Sequence, residues 1–168
     1  ALGELQRLLN QGDEVTLCLA EDRATFAVGN ATLSTSLLQV EFPNYRQLIQ
    51  PSYPNTLTVA REALLEAVRR CRIFARETTP VRLEMTATSL KLSVITQDIG
   101  NSEEEIDCSL EGTEMTVGFN PEYLAAGIEA VTGDEITIQT TDPQRPAVLR
   151  GVGAEDYLYL VMPQRLTV

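Results

Sequence analysis

Histidine and tryptophan are absent from this 168-residue chain, and cysteine occurs only three times. Without histidine, the commonest general base and the commonest imidazole metal ligand are both missing. Cys18, Cys71 and Cys108 are an odd number at wide spacings, with no Cys-x-x-Cys pair. That pattern excludes a disulfide framework and a structural zinc site, and points to three reduced thiols in a cytosolic protein. No apolar run approaches the ~18 residues that a membrane-crossing helix needs. There is no glycine-rich phosphate loop and no nucleophile elbow. The scattered cysteines and carboxylates form no catalytic constellation, so an enzyme is the weaker reading and no cofactor or metal is expected. With 43% hydrophobic residues there is ample material for a core, which excludes a disordered chain. The length suits one compact domain, or one and a half small ones.

Positive charge is also scarce: 13 basic against 24 acidic side chains, for a net charge of -11. Taken alone, this opposes a protein that grips nucleic acid tightly. The distribution is uneven, however. Residues 61–82 carry Arg61, Arg69, Arg70, Arg72, Arg76 and Arg82 against Glu62, Glu66 and Glu77, a net +3 that leaves -14 for the remainder. Twelve of the thirteen basic residues are arginine, the side chain suited to phosphate. An acidic cluster, Glu103, Glu104, Glu105, Asp107, Glu111 and Glu114, reads as a solvated strand face and loop.

Residues 56–59 read as a short strand and 61–76 as a helix, because Leu64, Val68, Cys71 and Ala75 recur at helical spacing. Arg69, Arg72 and Arg76 share a different face, so the helix carries a basic outer stripe. Alternating strands follow at about 81–86, 90–94 and 103–110. The same order then returns: a strand over Met115–Phe119, a helix capped by Asn120 with Pro121 at its first position and running to Val131, and strands at about 135–141, 147–152 and 157–162. Thr58-Val59 before Leu64-Leu65-Glu66-Ala67-Val68 loosely matches Thr116-Val117 before Ile128-Glu129-Ala130-Val131. This is an internal duplication of a strand–helix–three-strand unit.

The first 41 residues repeat the unit without its opening strand. Leu2, Leu5, Leu8 and Leu9 make a short helix, and strands follow at about 14–20, 23–28 and 31–40, with Gly29-Asn30 as a hairpin turn. A unit that begins inside its helix suggests a fragment. Residues 42–55 hold three prolines and little periodicity, as a linker does. The expected fold class is α+β, with repeated strand–helix–three-strand units whose paired helices pack on one face of an antiparallel sheet. The arginine stripe then points away from that sheet.

At these residues the chain resembles the bacterial DNA polymerase III beta subunit, the sliding clamp family. Phe42-Pro43-Asn44-Tyr45-Arg46 is similar to the family's linker into its third domain. Gly118-Phe119-Asn120 with Tyr123-Leu124 is similar to the start of its final helix. Tyr159-Leu160-Val161-Met162-Pro163-Gln164-Arg165-Leu166 is similar to its C-terminus. The resemblance implies the DNA clamp fold, with residues 1–42 as the second half of a middle domain, 43–55 as linker and 56–168 as the complete third domain. It implies a head-to-tail dimeric ring around duplex DNA, with no sequence preference and no catalysis of its own. Arg69, Arg70, Arg72 and Arg76, and more weakly Arg7, are the implied DNA-facing residues.

The resemblance further implies a hydrophobic groove that receives a short peptide from the polymerase III alpha subunit, the clamp loader and other proteins carrying a clamp-binding motif. Its matching positions are Pro43, Gln47 and Leu48 from the linker, Asn120 and Tyr123 from the helix start, and Gln144 and Pro146 from a loop. Leu160, Met162, Pro163, Gln164, Arg165 and Leu166 complete it from the final strand and tail. Gln47 and Gln144 stand where the family often has a basic and an apolar residue, which bears on peptide preference. Ile73 and Phe74 are the implied ring-joint contributors. The other half of that joint is implied to lie outside this chain, so the fragment is expected to be monomeric. A protein-interaction module without DNA contact is the competing reading.

Overall fold

The computed structural model describes residues 1–76, 79–96, 100–154 and 157–166. The chain divides into two compact units, Ala1–Asn44 and Tyr45–Val168, so the boundary falls inside the expected linker. Much of that linker belongs to the second unit, where Tyr45–Leu48 forms a single 3-10 turn.

The first unit is a helix α1 (Leu2–Leu8), a 3-10 turn (Leu9–Gln11) and the strands β1 (Val15–Leu19), β2 (Arg23–Val28) and β3 (Ala31–Ser36), paired antiparallel in that order. Val28 pairs with Ala31, so Gly29-Asn30 is a two-residue hairpin loop, as expected. Gly29 has φ +58°, and a Cβ there would lie 2.8 Å from the carbonyl oxygen of Gln11, so no larger residue fits the turn. The third strand stops at Ser36 rather than 40. Ala24 and Val28 are buried here, whereas Val15, Leu17 and Leu19 are exposed.

The second unit runs β4 (Asn55–Ala60), α2 (Arg61–Arg72), β5 (Val81–Met85), β6 (Ser89–Thr96), β7 (Gly100–Glu111), β8 (Met115–Phe119), α3 (Pro121–Ala130), β9 (Glu135–Thr140), β10 (Ala147–Gly151) and β11 (Tyr159–Val161). This is the strand–helix–three-strand order twice over. The sheet order is β11-β10-β9-β4-β7-β6-β5-β8, all pairs antiparallel. Each helix's leading strand pairs with the other repeat: β4 with β9 and β8 with β5. Exchanging the two repeats maps this order onto itself, except at one junction. Between β4 and β7 four residue pairs run from Thr56↔Glu111 to Val59↔Cys108. At the equivalent place, β8 meets the chain beyond β11 through the single bridge Gly118↔Gln164.

Helices α2 and α3 touch one another and lie on the same sheet. Leu64, Leu65, Val68 and Cys71 of α2 and Leu124, Ala125 and Ile128 of α3 are buried against Leu57, Leu83, Leu92, Phe119, Ile136 and Leu149 of the strands. Full burial of a leucine or isoleucine side chain is worth about 1.5–3 kcal/mol, so this one cluster dominates the unit's stability. Asn120 caps α3 as expected: its Oδ1 accepts from the backbone N–H of Glu122 at 2.9 Å and of Tyr123 at 3.4 Å, with Pro121 following. α2 has no side-chain cap. Instead the Arg61 N–H donates to the carbonyl of Asp134 at 2.8 Å and its Nε to that of Gly133 at 3.0 Å, so the turn before β9 satisfies that end.

The expected helix over 61–76 ends earlier, at Arg72. Phe74 and Ala75 donate to the carbonyls three residues back, Cys71 and Arg72, so the last turn tightens and the period is lost. Buried Asn55 joins three segments. Its Nδ2 donates to the carbonyls of Thr140 and Thr141, both at 3.2 Å, and its Oδ1 accepts from Thr113 N–H at 2.8 Å.

Candidate nucleic-acid interface and peptide cleft

The outer side of α2 carries the expected arginines, but they are not a bare basic stripe. Arg69 donates to Glu66 and to Glu129 of α3, both at 2.9 Å. Arg70 binds both oxygens of Glu104 on β7 at 2.9 Å through Nε and Nη2. Arg72 is ion-paired with Glu122 of α3. The pairs raise the Arg69 and Arg70 guanidiniums further above neutrality, mainly through the side-chain bonds from Glu129 and Glu104 respectively. The Arg70 bond holds Glu104 below the usual carboxylate range. Among the described residues Arg76 has no ion pair; with Arg72, Ala75, Asn120, Pro121, Glu122 and Tyr123 it lines a hollow of about 330 Å³. Arg7, in the first unit, is bonded to Glu4 one turn back.

The arginine positions were therefore legible, and their partners were not. Glu104, Glu122 and Glu129 come from other elements, and a lone sequence shows no signal for a pair 34 or 60 residues apart. The acidic cluster on β7 is correspondingly split. Glu103, Glu105 and Asp107 alternate on the exposed face, as expected of a solvated strand, whereas Glu104 turns to the helix side and meets Arg70.

The second feature sits at the junction where the repeat symmetry fails. Thr116, Gly118, Pro143, Gln144, Pro163, Gln164, Arg165 and Leu166 line a cleft of about 630 Å³. The Gln164 N–H donates to the Gly118 carbonyl at 2.8 Å, which lays the tail along β8. A Cβ on Gly118 would lie 2.6 Å from Leu166 Cδ2 and 3.0 Å from the Gln164 carbonyl oxygen, so the tail's approach requires glycine. The loop is shaped by Asp142, whose Oδ1 accepts from the N–H groups of Gln144 at 2.8 Å and Arg145 at 3.1 Å. The side-chain oxygen of Gln164 is buried without a partner among the described residues.

Of the residues matched to the groove, the structure brings Gln144, Pro163, Gln164, Arg165 and Leu166 together here. Asn120 and Tyr123 lie instead in the hollow beside Arg72, and the Asn120 oxygen is already committed to its helix. Met162 is exposed, Leu160 is half-buried opposite Val148, Pro146 is half-buried, and none of the three lines the cleft. Gln47 and Leu48 are exposed on the 3-10 turn of the second unit, and Pro43 belongs to the first unit. Thr116, Gly118 and Pro143 were missed, although a glycine inside a strand marks a close backbone approach. Ile73 is 75% exposed, whereas Phe74 packs partly against the core and its carbonyl accepts from Thr96 Oγ1 at 2.6 Å, so the two split in their surroundings.

Comparison with known proteins converges on one family. A family profile described as DNA polymerase III beta subunit, C-terminal domain, matches residues 46–165. The beta sliding clamp of Synechocystis sp. is 30% identical over 99% of this chain and 44% of its own length. That of Streptomyces coelicolor is 30% identical over 99% and 47%. Among solved structures, a DnaN sliding clamp from Bartonella birtlesii bound to griselimycin is similar with TM-score 0.83 and 28% identity, covering 98% of this chain and 45% of that one. The Caulobacter crescentus pol III beta structure gives 0.82 and 25% over 98% and 45%. The chain thus spans less than half the length of these relatives.

Proposed function

The chain belongs to the DNA polymerase III beta subunit family, and from that premise we propose that it serves as part of a sliding clamp, a non-catalytic processivity factor that holds a polymerase on duplex DNA. The carrying observation is the pair of repeats whose helices lie side by side on one sheet face, with arginines on the side away from the sheet. Phosphates of any sequence attract guanidinium groups, so such a face tracks a duplex without reading bases. An acidic body keeps that attraction from becoming a grip. In this reading residues 1–42 are half of a middle domain, 43–55 a linker and 56–168 the third domain, and Ile73 contributes to the joint of a dimeric ring.

The cleft between β8 and the tail is the docking place for a short peptide of polymerase III alpha, the clamp loader and other partners. Leu166 and the two prolines give it an apolar lining, and Arg165 and the two glutamines give polar contacts. Replacing Arg69, Arg72 and Arg76 by glutamine is expected to weaken association with a labelled duplex and flatten its salt dependence. An unaltered salt slope would remove these residues from the DNA face.

A further inference from the structure

The three carboxylates that reach the arginines of α2 from elsewhere in the fold have no counterpart in a simple phosphate-binding surface. Glu104 arrives from β7, and Glu122 and Glu129 from the two ends of α3. Each takes a different arginine: Arg70, Arg72 and Arg69. With Glu66, four carboxylates stand among four guanidiniums on this side of the helices, so among the described residues these charges cancel. The guanidinium side chains are nonetheless 46–49% exposed, so a phosphate can reach them.

We propose that Glu104, Glu122 and Glu129 set how weakly this face holds duplex DNA, by occupying the arginines that phosphates would otherwise take. The proposal rests on the DNA reading above and adds the identity of the tuning residues. A phosphate that approaches Arg70 must compete with two oxygens already bonded to Nε and Nη2. It also comes within range of a carboxylate that repels it. Binding therefore requires one pair to part before another forms, and no position along the duplex is held much better than the next. Arg76, with no ion pair among the described residues, is the guanidinium on this face open to phosphate without such an exchange.

The test uses this chain, a fluorescent duplex and anisotropy titrations between about 50 and 200 mM salt. E104Q/E122Q/E129Q keeps the size of each side chain and removes the charge. Every further phosphate that the protein neutralises multiplies the affinity lost over that salt range by about 3.5. Glu66 remains to hold one of Arg69 and Arg70, so two arginines are released and steepen the loss by roughly 12-fold. E103Q/E105Q/E111Q removes the same charge from the exposed face of β7 and is expected to leave the slope unchanged. E122Q alone releases Arg72, which has no other ion pair among the described residues; it is expected to steepen the loss by about 3.5-fold, the effect of one phosphate, and serves should the triple variant lose its helical circular dichroism. If wild type binds and the triple variant matches it in affinity and slope, the tuning role is overturned and the DNA reading stands. Equal steepening in both triple variants also overturns it, since net charge alone then explains the change. If neither wild type nor the carboxylate variants associate at the lowest salt, the DNA reading itself fails.

Discussion

Replacing Asn55 with alanine removes three hydrogen bonds at once. The amide donates to the carbonyls of Thr140 and Thr141 and accepts from Thr113 N–H, in a site where the residue is 4% exposed. At about 1 kcal/mol for each bond lost, the expected destabilisation is about 3 kcal/mol, because water cannot readily replace the side chain there. In a domain of this size that lowers the melting midpoint by roughly 10 °C. Aspartate sharpens the test, since it keeps the shape and the acceptor for Thr113 but turns a second oxygen toward two carbonyls. At neutral pH Asn55→Asp is expected to be at least as damaging as Asn55→Ala. The new carboxyl's folded pKa is raised above the unfolded value of about 4, so its penalty appears as pH rises through that value and eases below it, where the acid donates to one carbonyl. Urea denaturation followed by far-ultraviolet circular dichroism at two pH values reads both effects. A loss under about 1 kcal/mol for alanine, or an aspartate variant milder than alanine at neutral pH, would refute the reasoning.

Two further outcomes are expected of the same fold. Gly118→Val places side-chain atoms where Leu166 Cδ2 and the Gln164 carbonyl now sit, so the tail must leave β8. This is expected to cost about 1–3 kcal/mol and to weaken a labelled clamp-binding peptide at least tenfold by anisotropy; unchanged affinity would separate the cleft from peptide binding. Exposed Cys18 is expected to react at once with iodoacetamide. Buried Cys71, its thiol pushed up by burial, is expected to react only on unfolding, and equal rates by mass spectrometry would contradict the packing of α2.

The repeat, the element order and the arginine helix were legible because each rests on local pattern. Leu64, Val68 and Cys71 recur at helical spacing and are all buried, and Asn120-Pro121 is a cap in sequence and in structure. Ala75 kept the period in sequence, yet the helix had ended at Arg72, because the tightening of a last turn leaves no mark on spacing. The prolines of residues 42–55 suggested a linker, and they gave no sign of the 3-10 turn at Tyr45–Leu48, which belongs to the second unit. The cleft was legible only in part. The tail from Pro163 to Leu166 announced itself by resemblance, whereas Thr116 and Pro143 reach the cleft through sheet pairing and a loop fold that a lone sequence does not encode locally. The counter-charges of the arginines were missed for the same reason.

The mutual lending of leading strands has a consequence for ancestry. One repeat alone would leave one edge of its opening strand and one edge of its first strand after the helix unpaired, and a second identical copy, turned by half a revolution, would cover both. The present unit has the form of a self-complementary pair joined end to end by the short turn between β7 and β8. The two halves differ most at the seam left unzipped beside the tail, and it is there that the cleft opens.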